Sequence, residues 1–371
     1  MQTSGTYELT MILGAATLLL WGVRMVRTGV MRTYGAQIRK LLPRALENFL
    51  VALAIGVGAA TALQSSIAVA VFTSSLAAAG VIPVADGLLL LLGADAGSAV
   101  VAALLTLDLK AFWPMLMFVG YLLHAFFSET ESPLKQLGRI FLGVAMILIA
   151  LTFMSQVSHG LAESELIRII ISSLGSELVL ALLLFAILTW LAHSSIAILL
   201  FWASLVQAGI TTDPTLILAA LFGINLGNAA PPIIMTWRQA APAKRIVWGN
   251  AAFKFIGVLL CFLALPWISG VYDLLPGAPS FRVMLLHIIF NLGLIVIFSG
   301  LVNPAARILE RFFAEPVKAA DQIGPKYIPA ANAPASQKPE AFPVTALSRE
   351  VLRILGTVQF MIELTREMLV E

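Results

Sequence analysis

Two short polar stretches interrupt the apolar runs of this chain, and they constrain its fold more than any other feature. The first is residues 64–68, QSSIA, and the second is residues 193–197, HSSIA, which lie 129 positions later. When residues 64–81 are aligned with residues 193–210 at this offset, half of the positions are identical. Shared hydrophobicity does not produce that agreement, so the sequence predicts an internal duplication.

A glycine-rich element follows each polar stretch. Residues 93–98 read GADAGS and residues 223–228 read GINLGN, and the order and spacing of the elements match to within one residue. We interpret each element as a second polar break at membrane depth, which we expect to face the protein interior or a wet cavity. Duplicated, interrupted apolar segments are typical of the binding sites of secondary transporters.

The composition indicates a membrane protein. The chain is 60% apolar and 12% charged, whereas soluble domains average about 45–50% and ~25%. It contains no phosphate-binding P-loop motif, no cluster of metal-ligating residues and no nucleophile elbow. We therefore expect a chain that spans the lipid bilayer several times, with no enzyme activity, no resident cofactor and no nucleic-acid partner.

The distribution of basic residues predicts the topology. Three connections carry clusters of them: Arg24, Arg27, Arg32, Arg39, Lys40 and Arg44; Arg238, Lys244 and Arg245; Arg307, Arg311 and Lys318. By the positive-inside rule, all three connections are cytoplasmic. The chain then contains two repeats, residues 45–158 and 177–303, that enter the membrane from opposite sides. The predicted fold is an all-α polytopic membrane protein with two inverted-topology repeats.

Each repeat is predicted to begin with a broken or re-entrant segment and to continue with two spans. About 61 residues, 47–107, would form roughly 90 Å of helix against a hydrocarbon core of ~30 Å. One full crossing plus a re-entrant hairpin fits that length, and residues 177–232 are interpreted in the same way. The spans that follow are predicted at 112–128 and 136–158, and at 246–269 and 281–302.

The remaining segments are predicted to lie outside the repeats. Residues 1–44 form a first span and a cytoplasmic basic loop, and residues 159–176 form an outside loop. Residues 304–347 form a cytoplasmic linker rich in proline and alanine. A cytoplasmic helix begins at Ser348, a plausible N-cap, and its apolar pattern reaches Glu371, which predicts that the helical region is truncated there.

The two polar stretches are the first candidate site, through Gln64, Ser65, Ser66, Ser194 and Ser195. A broken helix presents free N–H groups and a positive dipole end, which suit an anion. Amide and hydroxyl oxygens suit a small cation such as Na⁺. The competing interpretation is that serine pairs simply allow close helix packing.

Asp95 is a second candidate, because an ionisable residue in an apolar span is costly and is by default functional. It would ligate a cation, carry a proton or pair with a cation on another span; otherwise it caps a helix near the membrane edge. Asn225 is its counterpart in the second repeat and offers a neutral oxygen. Ser98 and Asn228 are also paired by position and would add further oxygens.

Other polar residues in apolar runs leave alternatives open. His193 replaces Gln64 in the second repeat and would donate to an anion, carry a proton or form an interhelical hydrogen bond. Lys254 either extends to the cytoplasmic interface or is a buried cation in the place of a transported Na⁺. The pair His287 and Asn291 has the spacing of Asn250 and Lys254, and both pairs are predicted as accessory polar contacts or ordinary helix packing.

These motifs, over about residues 10–305, resemble those of the type II sodium–phosphate cotransporter family. Its members carry a Gln-Ser-Ser-Ser motif and a Gly-Ala-Asn-x-Gly-Thr-Thr element in each of two inverted repeats. The resemblance implies that the residues of the two polar stretches bind phosphate and sodium. Gly93, Gly97, Gly223, Asn225 and Gly227 match the second element. Bacterial members often append a cytoplasmic region similar to PhoU, which the helix from Ser348 resembles.

The motifs also depart from the family pattern. Ile67 and Ile196 replace the third serine, Asp95 replaces asparagine, and Lys254 stands where the second polar pattern has asparagine. Under the resemblance, a sodium site is predicted at Gln64, Ser65, Asp95 and Asn225.

Three functional hypotheses follow. The first is sodium-coupled symport of inorganic phosphate across the plasma membrane by alternating access, with the C-terminus in the cytoplasm. The second is proton-coupled or uncoupled transport or efflux of phosphate or another oxyanion. The third is a membrane sensor or scaffold for a PhoU-like partner.

Overall fold

The structure is a computed structural model that describes residues 5–41, 48–106, 110–127, 132–163, 165–314 and, in part, 347–359. Two units divide the chain, Met1–Phe313 and Ala314–Glu371. Throughout the described residues the regular secondary structure is helical and no strand is present. The predicted all-α class is therefore confirmed.

The first half of the larger unit contains a long N-terminal helix and the helices of the first repeat. These are α1 (Gly5–Leu41), α2 (Phe49–Leu63), α3 (Ser66–Ala78), α4 (Val84–Leu105), α5 (Trp113–Phe126) and α6 (Pro133–Glu163).

The second half contains the helices of the second repeat and its flanking segments. These are α7 (Glu165–Ser176), α8 (Leu178–Ala192), α9 (Ser195–Gln207), α10 (Pro214–Gly227), α11 (Ala230–Thr236), α12 (Ala241–Leu263), α13 (Leu265–Ile268), α14 (Val271–Leu274), α15 (Pro279–Phe298) and α16 (Val302–Phe312).

Six stretches of helix are long and apolar enough to cross a membrane: Thr10–Gln37, Val84–Leu105, Pro133–Met154, Pro214–Thr236, Ala241–Leu263 and Pro279–Phe312. A seventh is obtained if the pair Ile169–Ser176 and Leu178–Ala192, bent by 110°, forms one span. Large apolar side chains such as Phe118 and Val296 point away from the protein interior, as expected where lipid replaces water. The chain is a multi-pass membrane protein.

Three predicted segments differ in the structure. Helix α1 continues to Leu41 through the predicted basic loop, because residues 24–41 contain good helix formers and no proline. The predicted outside loop 159–176 is helical at residues 159–163 and 165–176. The predicted span 112–128 is a helix of 14 residues after a 3-10 turn, about 21 Å long and shorter than the ~30 Å hydrocarbon core.

The two polar stretches break the helix in the same way. Gln64 ends α2 at φ 48° and His193 ends α8 at φ 51°, and they are the only non-glycine residues with positive φ among those described. The second arms, α3 and α9, end at matching glycines, Gly80 (φ 72°) and Gly209 (φ 77°). Helices α2 and α3 are each too short to cross the bilayer, so the first repeat has the predicted broken segment followed by the full-length helix α4. The inverted orientation of the repeats stays a prediction.

The breaks predicted at the glycine-rich elements are wrong for residues 93–97 and 223–227, because α4 continues through the first range and α10 continues to Gly227. Instead, these elements bring a second pair of helices into contact in each repeat. A Cβ atom at Gly93 would lie 2.3 Å from the Leu53 carbonyl oxygen, and one at Gly223 would lie 2.2 Å from the Leu182 carbonyl oxygen. Gly97 and Gly227 make the same approach one turn later. Helix α4 thus packs backbone to backbone on α2, and α10 packs in the same way on α8. This repeated contact is the structural counterpart of the sequence duplication.

The smaller unit is described by residues 347–352, 354–356 and 358–359, all of them helical. The predicted helix is therefore present from Leu347, and Ser348 lies inside it. The proline-rich part of the predicted linker, 315–346, and the end of the helical pattern, 361–371, lie outside the described residues. Similarity of this region to PhoU stays a prediction.

Candidate functional site: an electropositive cavity and a buried polar layer

Each break positions the start of a helix for binding. The Ser65 hydroxyl accepts a hydrogen bond from the Ala68 N–H at 3.2 Å, and the Ser194 hydroxyl accepts one from the Ala197 N–H at 3.2 Å. These serines are N-caps of α3 and α9, so each hydroxyl satisfies one N–H of its first turn. The N–H groups that precede the capped one have no partner within the helix. Both helices therefore present free N–H groups and a positive dipole end.

Both helix starts line one cavity of about 490 Å³. Its walls come from α1, from the two polar stretches and from the end of α10. The lining residues are Thr17, Leu20, Trp21, Val23, Arg24, Arg27, Gln64, Ser65, Ser66, Ile67, Ala192, His193, Ser194, Ser195, Ile196 and Asn228.

Helix α1 contributes two arginines that the sequence analysis treats only as topology signals. Arg24 and Arg27 are one turn apart and face the cavity together with Thr17, Leu20 and Trp21. Spacing of three and four residues places all five on one side of a helix. The helical periodicity of α1, extended into its basic residues, places Arg24 and Arg27 on the same side as Thr17, Leu20 and Trp21. The two arginines could therefore have been identified from the sequence.

The cavity is electropositive. No aspartate or glutamate occurs among its lining residues. Within the described part of the chain, neither Arg24 nor Arg27 has a carboxylate within ion-pair distance. Two guanidinium groups and two helix N-termini therefore converge on one space without a protein counter-ion, which is an arrangement that favours a bound anion.

One hydrogen bond joins the two repeats at the cavity wall. The Asn228 side-chain amide donates to the Ser66 hydroxyl at 3.0 Å. The Oδ1 atom of Asn228 and the Oε1 atom of Gln64 are buried without a partner among the described residues. The His193 ring lies 3.1 Å, by its Nδ1, from the Leu191 carbonyl oxygen. The wall therefore still has polar atoms that a ligand or its hydration water would satisfy.

Asp95 belongs to a separate, buried polar layer. Its Oδ1 lies 2.8 Å from Nζ of Lys254, and its Oδ2 accepts a hydrogen bond from Nδ2 of Asn250 at 3.1 Å. Lys254 is 2% exposed and Asp95 is 4% exposed. Lys254 is thus a buried cation and does not extend to the membrane surface, and Asp95 pairs with a cation on another span.

The second repeat has a neutral group of side chains in this layer. The Asn225 amide lies 3.2 Å from Nδ1 of His287 and also donates to the Leu221 carbonyl oxygen at 2.9 Å. Asn291 lies 3.4 Å from the same ring nitrogen. Ser98, by contrast, donates to the Asp95 backbone carbonyl of its own helix at 2.9 Å.

The structure therefore divides the predicted site residues into two groups. Those around the cavity are Gln64, Ser65, Ser66, His193, Ser194, Ser195 and Asn228. Those outside its lining are Asp95, Ser98 and Asn225, together with the accessory residues Lys254, His287 and Asn291. Their roles in binding remain predictions.

Relatives of this chain occur among curated bacterial proteins. It is 31% identical over 352 residues to "Putative inorganic phosphate export protein YjbB" of Escherichia coli (strain K12) and equally so to the protein of that name in Salmonella typhimurium. The alignment covers 95% of this chain but 64% of those relatives, so the chain spans less than two thirds of their length. It is also 25% identical over 291 residues to "Uncharacterized protein YqeW" of Bacillus subtilis, covering 78% of this chain and 93% of that protein. No solved structure matches.

A family described as Na⁺/Pi-cotransporter matches residues 18–156. The matched region contains the first polar stretch, the first glycine-rich element and both cavity arginines. The resemblance predicted from the motifs is thus confirmed. Over residues 18–156, the chain is similar to the Na⁺/Pi-cotransporter family.

Proposed function

We propose that this chain transports inorganic phosphate across the membrane through the cavity between α1 and the two helix breaks. One observation carries the proposal: two helix N-termini line the same cavity as two arginines that have no carboxylate partner among the described residues. Phosphate brings one to two negative charges and several acceptor oxygens. The cavity offers several hydrogen-bond donors for these oxygens, namely guanidinium, hydroxyl and backbone N–H groups.

The duplicated hairpins suit a carrier because each repeat supplies one helix start to the same space. Rigid movement of one repeat against the other would expose that space to alternate sides of the membrane. The Asn228–Ser66 hydrogen bond crosses between the repeats, so such a movement would break and reform it. The family match and the names of the relatives support phosphate as the substrate.

Direction, coupling and location are further parts of the proposal. The name of the relatives supports export of phosphate. The description of the family names Na⁺, but the contact between Lys254 and Asp95 supports the alternative of export that is not coupled to Na⁺. The three basic connections support a plasma-membrane protein with a cytoplasmic C-terminus.

The test is radiolabelled phosphate flux in proteoliposomes, comparing the wild type with R24Q/R27Q. Hydrogen bonds to charged groups contribute about 1.5–3 kcal/mol each, so loss of both guanidiniums is expected to reduce flux at low phosphate by at least ~10-fold. R32Q is the matched control, because Arg32 lies on the same helix but outside the cavity lining.

Equal flux in R24Q/R27Q and R32Q would refute the role of the cavity. Binding of phosphate without flux in the wild type would refute transport and favour the hypothesis of a sensor.

A further inference from the structure

The membrane-embedded carboxylate of Asp95 requires a neutralising charge. Asp95 lies in the middle of α4, a candidate membrane span, and its side chain is buried. Gly93 and Gly97 hold the opposite face of this helix against the α2 backbone, and the Asp95 side chain meets Asn250 and Lys254 of α12. A lone carboxylate in such surroundings is costly, so a cation must accompany it.

The structure supplies that cation from the chain itself. Nζ of Lys254 lies 2.8 Å from one oxygen of Asp95, and the Asn250 amide donates to the other oxygen at 3.1 Å. Both carboxylate oxygens therefore face nitrogen donors. A sodium ion is a hard cation that needs several oxygen ligands at once. These contacts do not fit a sodium ion bound at Asp95 while Lys254 is in place.

The predicted sodium ligands are also divided between two places. Gln64 and Ser65 line the cavity, whereas Asn225 makes its contacts with Leu221 and His287 in the buried layer. At the position that matches Asp95, the second repeat thus has a neutral residue. Among the described residues of this layer, only the Asp95 position carries a negative charge that a cation would neutralise.

A latent cation site nevertheless surrounds Asp95. The Oδ1 atom of Asn250 is buried and has no partner among the described residues. Without the Lys254 ammonium, this oxygen and the two Asp95 oxygens would be three candidate ligands in one buried place.

We propose that the ammonium of Lys254 permanently occupies a cation site built on Asp95, so that phosphate transport by this chain requires no Na⁺. The transport part rests on the function proposed above, whereas the occupancy of the site does not. Lys254 acts here as a built-in replacement for a co-transported cation, and the gradient of phosphate itself drives its movement.

The first measurement is thermal unfolding of the purified full chain without phosphate, in NaCl against choline chloride at equal ionic strength. The wild type and D95N/K254M are expected to unfold at the same temperature in both salts. K254M, measured at alkaline pH so that protons compete less, is expected to gain about 4 °C in saturating NaCl because Na⁺ binds the Asp95 carboxylate that has lost its partner. The second measurement is phosphate flux of the wild type in the two salts, which is expected to be equal.

Two outcomes would overturn the inference. One is a Na⁺-dependent rise in the unfolding temperature of the wild type that D95N/K254M lacks, because Asp95 would then hold Na⁺ beside Lys254. The other is wild-type flux that requires Na⁺. If K254M does not fold, the wild type and the neutral double variant still decide the question. Absence of flux in both salts would refute the proposed function, while the unfolding temperatures would still test the occupancy of the site.

Discussion

Replacing Gly223 by alanine tests whether the close contact between α10 and α8 positions the buried polar layer. A Cβ atom at this position would lie 2.2 Å from the Leu182 carbonyl oxygen, whereas carbon–oxygen contacts normally measure about 3.3 Å or more. The two backbones must therefore separate by about 1 Å, since a carbonyl oxygen of a helix cannot rotate away. Overpacking of this kind costs about 1–3 kcal/mol. A displacement of α10 would disturb the 3.2 Å contact between Asn225 and His287, because Asn225 lies on the opposite side of α10 from Gly223.

The assay is thermal unfolding in detergent together with phosphate flux in proteoliposomes. The expected decrease in unfolding temperature is about 2–10 °C, with reduced flux. Gly293→Ala is the matched control, because Gly293 lies in the apolar helix α15 and a Cβ atom there would meet nothing within 4 Å. That control is expected to be neutral or stabilised by up to about 1 kcal/mol. Equal unfolding temperatures for the Gly223 and Gly293 variants would refute the reasoning.

Three further predictions concern the ion pair and the helix breaks. Asp95→Asn leaves Lys254 as an unpaired buried cation and is expected to lower the free energy of unfolding, measured with denaturant, by about 3–5 kcal/mol. The double variant D95N/K254M is expected to recover most of this loss. A single variant as stable as the double variant would contradict the ion pair. Ser65→Ala and Ser194→Ala each remove an N-cap and are expected to lose about 1 kcal/mol each by the same measurement, and unchanged stability would show that the caps are dispensable. Gln64→Gly keeps the backbone at φ 48° without the amide, so it is expected to fold normally while the phosphate concentration for half-maximal flux rises; an unchanged value would exclude the amide from binding.

The helix breaks at the two polar stretches could be predicted from the sequence because they depend on residues near one another in the chain. The glycine-rich elements were predicted as further breaks, whereas the structure uses them for close helix contacts. Two serines that interrupt an apolar run favour a helix break, since the hydroxyl of the first caps the next helix. Glycines four residues apart favour backbone contact because they present no Cβ atom. Both signals occur twice in this chain, and the structure repeats both the left-handed break and the glycine contact.

The ends of the helices were harder to predict from the sequence, because a helix can continue beyond the point where the chain leaves the membrane. The basic residues after residue 23 indicate the end of a membrane span, yet they are good helix formers and α1 continues to Leu41. For the same reason, residues 159–176 were predicted as a loop outside the membrane, although most of them are helical.

By itself, the sequence determined that this chain is a helical membrane protein, that it is duplicated, and that each copy contains a helix break with serine caps. Only the tertiary structure decided what surrounds those breaks. Arg24 and Arg27 are remote from the second polar stretch in the chain, and only the packing of α1 brings them to the same cavity. Lys254 is equally remote from Asp95, and only the contact between α12 and α4 joins them. The physical reason is that periodicity and capping act over a few residues, whereas charge pairing depends on which helices become neighbours.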